Sequence, residues 1–152
     1  ALRPGLQTVF ALRHQPLDPG LAPAERERWD TILALRAEAS KAVEPLRQAG
    51  QVGHSLTTRL TLFAPEPVRK ALDGFSAAEL EELFIVSQVD LGPTDQAPEG
   101  AFVSTDMDGV AVAVDAAHGG KCERCWKFTK ELGSAGPADL CPRCAAVLKD
   151  LA

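Results

Sequence analysis

Four cysteines near the C-terminal end are the feature that most constrains how this chain can fold. They form two C-x-x-C pairs, Cys122 with Cys125 and Cys141 with Cys144, with fifteen residues between the pairs. Each pair places two sulfurs on one tight turn, and the Gly-containing segment 132–137 can return the second pair to the first. The spacing predicts four thiolates around one metal ion, with zinc as the expected metal.

Other chemistries are compatible with the same four residues. Two disulfides are disfavoured because the N-terminus lacks the pattern of an export signal and cytosolic thiols stay reduced. A rubredoxin-like iron site uses the same ligands, so neither the softness of the sulfur ligands nor the coordination geometry excludes iron. Redox catalysis would need an activated thiolate in both pairs. Four protein ligands leave no position for water or substrate, so we expect one structural metal ion that stabilises a segment too small to fold alone.

Basic and aromatic side chains surround the cysteines. The basic residues are Lys121, Arg124, Lys127, Lys130, Arg143 and Lys149, and Trp126 directly follows the second cysteine. The cations either neutralise the thiolates or bind phosphates, and Trp126 either covers the turn or stacks on an unpaired base. Both roles are compatible, because a guanidinium can face sulfur on one side and phosphate on the other.

The charge is distributed unevenly along the chain. The formal net charge of -5 taken as an average argues against a nucleic-acid partner. Basic and acidic residues number ten and seven in residues 1–70, none and ten in 71–118, and six and four in 119–152. The acidic excess lies wholly in the middle segment, so the average does not exclude RNA.

Composition predicts a soluble, folded protein. Hydrophobic residues make up 45% of the 152 residues, enough for a packed core. No apolar run approaches the roughly 18 residues that span a bilayer, so we expect a cytoplasmic location and no membrane partner. The chain begins with Ala1, and its one methionine is Met107. We therefore expect a fragment or a processed product.

The pattern divides the chain into three segments and predicts an α+β fold. Residues 1–23 hold four prolines and are predicted to be an irregular arm or linker, in which the apolar run 8–12 is either a short strand or an extended arm. Residues 24–118 are predicted to form a small α+β domain led by a long helix. Residues 119–152 are predicted to form a zinc-finger subdomain, a C-terminal four-cysteine zinc knuckle.

Within the middle segment, periodicity locates the elements. An amphipathic helix is predicted over 24–49, with a kink or an early stop at Pro45. A small mixed β-sheet is expected from strands at 58–63, 83–89, 101–104 and 110–114, the last two joined by an Asp-Gly hairpin. Short helices are predicted up to Leu72 and after Ser76, which forms a capping box with Glu79.

No catalytic residue is assigned. The histidines are scattered and are interpreted as surface or loop residues: His14, His54 and His118. The acidic run on the short second helix is interpreted as a solvated face: Glu79, Glu81 and Glu82. Two carboxylates in the hairpin turn have no neighbouring base: Asp106 and Asp108.

Together these features resemble the C-terminal region of bacterial-type isoleucyl-tRNA synthetases. The matching segments are 29–36 (WDTILALR), 52–56 (VGHSL), 83–89 (LFIVSQV), 121–126 (KCERCW) and 140–144 (LCPRC). The resemblance covers about Trp29 to Cys144. A similar zinc finger ends formamidopyrimidine-DNA glycosylases.

The resemblance implies a function in tRNA recognition. It implies that Cys122, Cys125, Cys141 and Cys144 are the ligands of one structural Zn²⁺ and that Trp126 lies beside RNA. It implies weaker candidates for RNA contact: Lys121, Arg124, Lys127 and Arg143. The implied partners are the anticodon stem-loop of tRNA(Ile) and the catalytic and anticodon-bundle domains of the same polypeptide. The His-x-Gly-His and Lys-Met-Ser-Lys-Ser signatures are absent from this sequence, so ATP-dependent aminoacylation and editing would belong to the remainder.

Two rival functions stay open. A DNA glycosylase of the type named above needs an N-terminal Pro followed by Glu, whereas this chain begins Ala1-Leu2-Arg3. A free-standing zinc-finger module could instead bind a basic protein through its acidic segment 71–118. Failure to bind tRNA at any salt concentration, together with capture of a basic protein by the isolated chain, would favour the second rival.

Overall fold

The computed structural model describes residues 20–151, and these form an α+β fold as the sequence predicted. The predicted strand at 8–12 and most of the predicted arm lie outside the described residues. No helix in residues 20–151 is long and apolar enough to cross a membrane.

Helix α1, Pro23–Gln48, lies against the sheet through one apolar face. Pro23 suits the first helical turn because its missing N–H would have no partner there. The buried face includes Ile32, Leu35 and Ala39. The early stop predicted at Pro45 does not occur. Only the last turn follows this proline, so few hydrogen bonds depend on it, and the Ala49 N–H donates to the Pro45 carbonyl at 3.0 Å.

A four-stranded mixed sheet forms the centre of the domain, in the order β2-β1-β4-β3. The strands are β1 Thr58–Phe63, β2 Gln88–Gly92, β3 Phe102–Val103 and β4 Ala111–Ala116. Strand β1 pairs parallel with β2 and antiparallel with β4. Leu60 and Leu62 are buried and alternate with half-buried neighbours, as predicted for this strand.

Two short helices connect β1 to β2: α2, Glu66–Ala71, and α3, Ala77–Phe84. The predicted capping box at the start of α3 is confirmed. The Ser76 hydroxyl accepts from the Glu79 N–H at 3.3 Å, and the Glu79 carboxylate accepts from the Ser76 N–H at 2.8 Å. Two otherwise unpaired donors of the helix are thereby satisfied.

The strand predicted over 83–89 is wrong in its first half. Residues 83–84 end α3, Ile85 terminates the helix in the left-handed region at φ 56°, and β2 begins only at Gln88. Leu80 and Phe84 are both buried, one helical turn apart. An apolar run of this length can be buried either as a strand or at the end of a helix, so periodicity alone does not distinguish these two secondary structures.

The predicted hairpin between β3 and β4 is confirmed. Phe102 pairs with Val112 and Val103 with Ala111 in antiparallel register. Gly109 has φ 70° in the connecting loop, a conformation that glycine adopts without steric cost.

Residues 20–151 bury two separate apolar clusters. The larger one lies between the helices α1–α3 and the sheet and includes Ile32, Leu62 and Val112. The smaller one consists of cysteines together with Leu140 and Ala145. It belongs to residues 119–151, here called the cysteine knuckle, which contains the hairpin β5, Gly120–Lys121, and β6, Phe128–Thr129, and the helix α4, Pro142–Asp150.

Candidate metal centre

The four cysteine sulfurs converge on one point in the cysteine knuckle. All four Sγ atoms lie within 4.8 Å of one another, and Cys125 Sγ is 3.7 Å from Cys141 Sγ. Thiolates at about 2.3 Å from a tetrahedrally coordinated metal are roughly 3.8 Å apart. The cluster therefore has the dimensions to hold one metal ion.

The β5–β6 hairpin shapes the first cysteine turn. The Cys122 N–H donates to the Lys127 carbonyl at 2.9 Å, and the Trp126 N–H donates to the Cys122 carbonyl at 2.8 Å. Gly119 permits the two strands to approach, because a Cβ at this position would lie 2.2 Å from the Thr129 carbonyl oxygen. A side chain at residue 119 would force the hairpin, and with it the first pair of sulfurs, out of place.

Helix α4 supplies the second turn. Cys141 caps the helix, Pro142 occupies its first turn and Cys144 follows within that turn. The Cys141 N–H donates to Cys122 Sγ at 3.4 Å. The N-terminal end of a helix carries partial positive charge, which favours thiolates at this position.

The sulfurs differ in how easily they ionise. Burial opposes ionisation of Cys122, but the N–H groups of Cys125, Cys141 and Arg124 outweigh it and lower the pKa of this thiol to about 6. Burial raises the pKa of Cys125 to about 12, and it also raises the pKa of Cys141. A divalent cation would offset the cost of burying these thiolates, so the donor set fits a bound metal ion.

Two of the predicted RNA-contact residues lie together on the surface of the knuckle. The Lys121 Nζ is 5.5 Å from the centroid of the Trp126 ring. Trp126 is 55% exposed and its backbone is in the left-handed region at φ 66°. The aromatic ring and the ammonium group thus form one exposed patch.

The other three predicted RNA-contact residues face protein groups. Arg124 Nη1 lies 3.6 Å from Cys144 Sγ. Lys127 Nζ lies 2.5 Å from the Glu81 carboxylate, and Arg143 Nη1 lies 3.0 Å from the Glu82 carboxylate. The structure therefore directs Arg124 toward the sulfurs and directs the other two cations toward α3.

These ion pairs correct the interpretation of the acidic run on α3 as a solvated face. Glu79 belongs to the capping box, while Glu81 and Glu82 pair with the knuckle. Lys127 and Glu81 have side-chain exposures of 19% and 22%, against 68% and 57% for Arg143 and Glu82. Partial burial strengthens the first pair, whereas an exposed pair contributes little.

Ser87 and Gln88 also join the knuckle to the sheet, although no motif in the sequence marks either residue. The buried Ser87 hydroxyl donates to the Leu56 carbonyl at 2.6 Å and accepts from the Phe128 N–H at 2.7 Å. The Gln88 carboxamide bonds both backbone groups of His118 at 2.9 Å. The one available signal was a serine inside an otherwise apolar run, since a buried hydroxyl needs partners.

No family model matches the chain. The chain is 45% identical over 152 residues to an isoleucine–tRNA ligase of Nitratidesulfovibrio vulgaris (strain DSM 19637 / Miyazaki F), covering 98% of this chain and 16% of the ligase. It is 43% identical over 153 residues to the ligase of Desulfovibrio desulfuricans, covering 99% and 16%. For the ligase of Lawsonia intracellularis, identity is 45% over 127 residues, covering 83% and 13%.

The resemblance to the C-terminal region of these ligases is thereby confirmed. The chain spans about 16% of the length of the first two relatives. The similarity to the first two relatives extends over the sheet, α1 and the cysteine knuckle together, because it covers at least 98% of this chain.

We predict that Ser87→Ala lowers the free energy of unfolding by about 1–2 kcal/mol, because it leaves the half-buried Leu56 carbonyl and the half-buried Phe128 N–H without their shared partner. Ser40→Ala is the matched control. Its hydroxyl donates to the Arg36 carbonyl at 3.0 Å on the exposed side of α1, and we expect a change within about 0.5 kcal/mol. Urea denaturation measures both, and a Ser87→Ala protein as stable as the parent would contradict the assigned role.

Proposed function

We propose that this chain is the zinc-binding tRNA-recognition tail of an isoleucine–tRNA ligase and that it contacts the anticodon stem-loop of tRNA(Ile). The observation that carries the proposal is Trp126, an exposed aromatic ring with a cation against it, mounted on the turn that holds two of the four cysteines. The ligases that the chain resembles act on tRNA by name. Recognition would combine shape, phosphate contacts and stacking.

Zinc is the metal that we assign to the four sulfurs. Cys122, Cys125, Cys141 and Cys144 would be its ligands, and their sulfur spacing fits tetrahedral coordination. When bound, the ion would stabilise the knuckle and would leave no coordination position for a substrate. The small apolar cluster around the cysteines is too limited to hold this segment by burial alone, which supports a structural role.

The conformation of Trp126 costs free energy that burial of its ring does not offset. Its left-handed backbone costs roughly 1–2 kcal/mol in a residue with a side chain. The ring belongs to neither apolar cluster in residues 20–151 and stays 55% exposed. Every base presents a face on which such a ring stacks, which is how proteins bind unpaired nucleotides. Lys121 beside the ring is placed to meet phosphate.

The acidic middle segment is compatible with an RNA partner. Glu81 and Glu82 form ion pairs with the cysteine knuckle, and Asp90 forms one with Arg59 at 2.6 Å. Part of the acidic excess of residues 71–118 is thus neutralised inside the fold. Among the RNA-contact candidates we rank Trp126 and Lys121 first, because the Lys121 Nζ lies 3.6 Å from the Glu123 carboxylate, a longer ion pair than those of Lys127 and Arg143. Arg124 follows, and Lys127 and Arg143 come last.

The proposal limits what this chain does alone. We treat 24–118 and 119–152 as two structural units of one recognition module, which the two separate apolar clusters support. Aminoacylation and editing belong to other domains of the same polypeptide, which are partners of this one. A tRNA partner and four cysteines that form no disulfide both fit the cytoplasm, where cysteines stay reduced.

We expect the purified chain to contain one zinc ion, because four thiolates at this spacing form a complete tetrahedral site. Elemental analysis by mass spectrometry measures the metal content. Cys144→Ser should lose most of the zinc, because serine replaces a thiolate with a neutral hydroxyl, whereas Ser134→Ala should retain it. Iron in place of zinc, or no metal in freshly prepared protein, would contradict the assignment.

Trp126→Ala should weaken binding of the tRNA(Ile) anticodon stem-loop by about tenfold or more, because stacking on one base contributes about 1–3 kcal/mol. Leu33→Ala is the matched control, since Leu33 is 53% exposed and lies on α1. Fluorescence anisotropy with labelled RNA measures both affinities.

Affinity of the parent should also fall as salt rises, since phosphate contacts release counterions. Equal binding by Trp126→Ala, or a flat response to salt, would count against the proposal. Equally tight binding to duplex DNA would favour the DNA-binding alternative.

A further inference from the structure

A second exposed side chain, from a distant part of the sequence, contacts Trp126. His54 lies in the loop after α1, and its ring centroid is 6.3 Å from that of Trp126, with the ring planes at 82°. His54 and Trp126 are both exposed. The patch formed by Trp126 and Lys121 therefore extends beyond the cysteine knuckle onto the sheet domain.

Hydrogen bonds hold the His54 loop beside the knuckle. His54 caps the short 3-10 turn Ser55–Thr57, and its Nδ1 accepts from the Leu56 N–H at 3.1 Å. The Leu56 carbonyl accepts from the buried Ser87 hydroxyl, which in turn accepts from the Phe128 N–H. Phe128 lies two residues after Trp126, so this chain of bonds fixes His54 relative to the ring.

The hydrogen bond from the Leu56 N–H to Nδ1 also determines which ring nitrogen of His54 is left to donate a hydrogen bond to a ligand. Because Nδ1 acts as an acceptor, the neutral imidazole carries its proton on Nε2. The exposed ring thus offers one N–H donor beside the Trp126 ring and the Lys121 ammonium. These three groups provide a stacking face, a hydrogen-bond donor and a positive charge.

We propose that His54, Trp126 and Lys121 form a single binding surface for one unpaired nucleotide. The base stacks on Trp126, the Lys121 ammonium meets its phosphate, and His54 Nε2–H donates to an acceptor on that nucleotide. The Lys121 cation against the ring disfavours a cationic ligand, which separates this surface from aromatic cages for quaternary ammonium groups. The inference rests on the proposed function and adds a residue outside the knuckle to the RNA contact.

His54→Asn tests this surface most sharply. Asparagine is a good helix-capping residue whose carbonyl oxygen can accept the Leu56 N–H, so the local turn is retained while the ring and Nε2–H are removed. His118→Asn is the matched control. His118 is also an exposed histidine, but it lies beside Arg59 and Gln88.

The experiment measures anisotropy of the fluorescein-labelled tRNA(Ile) anticodon stem-loop with the zinc-loaded chain, and metal content is checked for every variant. We expect His54→Asn to weaken binding about fivefold, the effect of losing about one hydrogen bond, with unchanged zinc content. His118→Asn should bind within twofold of the parent. A Trp29→Phe background leaves Trp126 as the only tryptophan, so that its emission should also differ between His54→Asn and its own parent.

The possible outcomes distinguish failure of the shared surface from failure of the proposed function. If His54→Asn binds as tightly as the parent while Trp126→Ala loses binding, the shared surface is wrong and the proposed function stands. If His54→Asn loses zinc together with affinity, the effect is structural and the shared surface is wrong. If the parent itself fails to bind the stem-loop, the proposed function falls and the inference falls with it.

Discussion

The convergence of four sulfurs on one point is the constraint on which the arrangement of the C-terminal segment depends. It requires the β5–β6 hairpin to close tightly, which Gly119 permits, and it requires α4 to begin at the second cysteine pair. Trp126 follows the second cysteine directly, so the turn that aims the sulfurs inward also projects this ring outward. Under the proposed function, a metal site without an open coordination position would in this way determine the geometry of a binding surface that it does not itself touch.

The cysteine knuckle is also fixed to the sheet domain. A buried serine hydroxyl, a glutamine side chain paired with the backbone of His118, and two ion pairs to α3 connect them. The Ser87 hydroxyl contributes most to this connection, because it is buried and bonds two half-buried backbone groups, whereas the exposed pair of Arg143 and Glu82 contributes little. Part of the acidic segment therefore neutralises basic side chains of the knuckle within the fold. The net charge of the whole chain does not reveal this pairing.

The sequence predicted those parts of the fold that local rules determine. Helix α1, strand β1, the capping box at Ser76 and the hairpin at Gly109 each follow from spacing or from one turn residue, and the two C-x-x-C pairs predicted the sulfur cluster. It failed where an apolar run suits two structures, as in residues 83–89. The sequence also did not indicate where long side chains point: Lys127 and Arg143 lie close to cysteines in the sequence, yet tertiary contacts turn them toward α3. The contact between His54 and Trp126 joins distant segments, so no local pattern encodes it.

We propose that the metal ion, by ordering the cysteine knuckle, creates the surface that binds RNA. The most direct test is to remove the metal with a chelator and to follow stem-loop affinity while zinc is added back, with backbone amide NMR signals recorded at each step. We predict that the metal-free chain keeps the signals of β1, β2 and β4, loses those of the knuckle, and binds the stem-loop at least tenfold more weakly, with affinity restored by about one zinc per chain. Undiminished binding by the metal-free chain, with the knuckle signals lost, would contradict the claim.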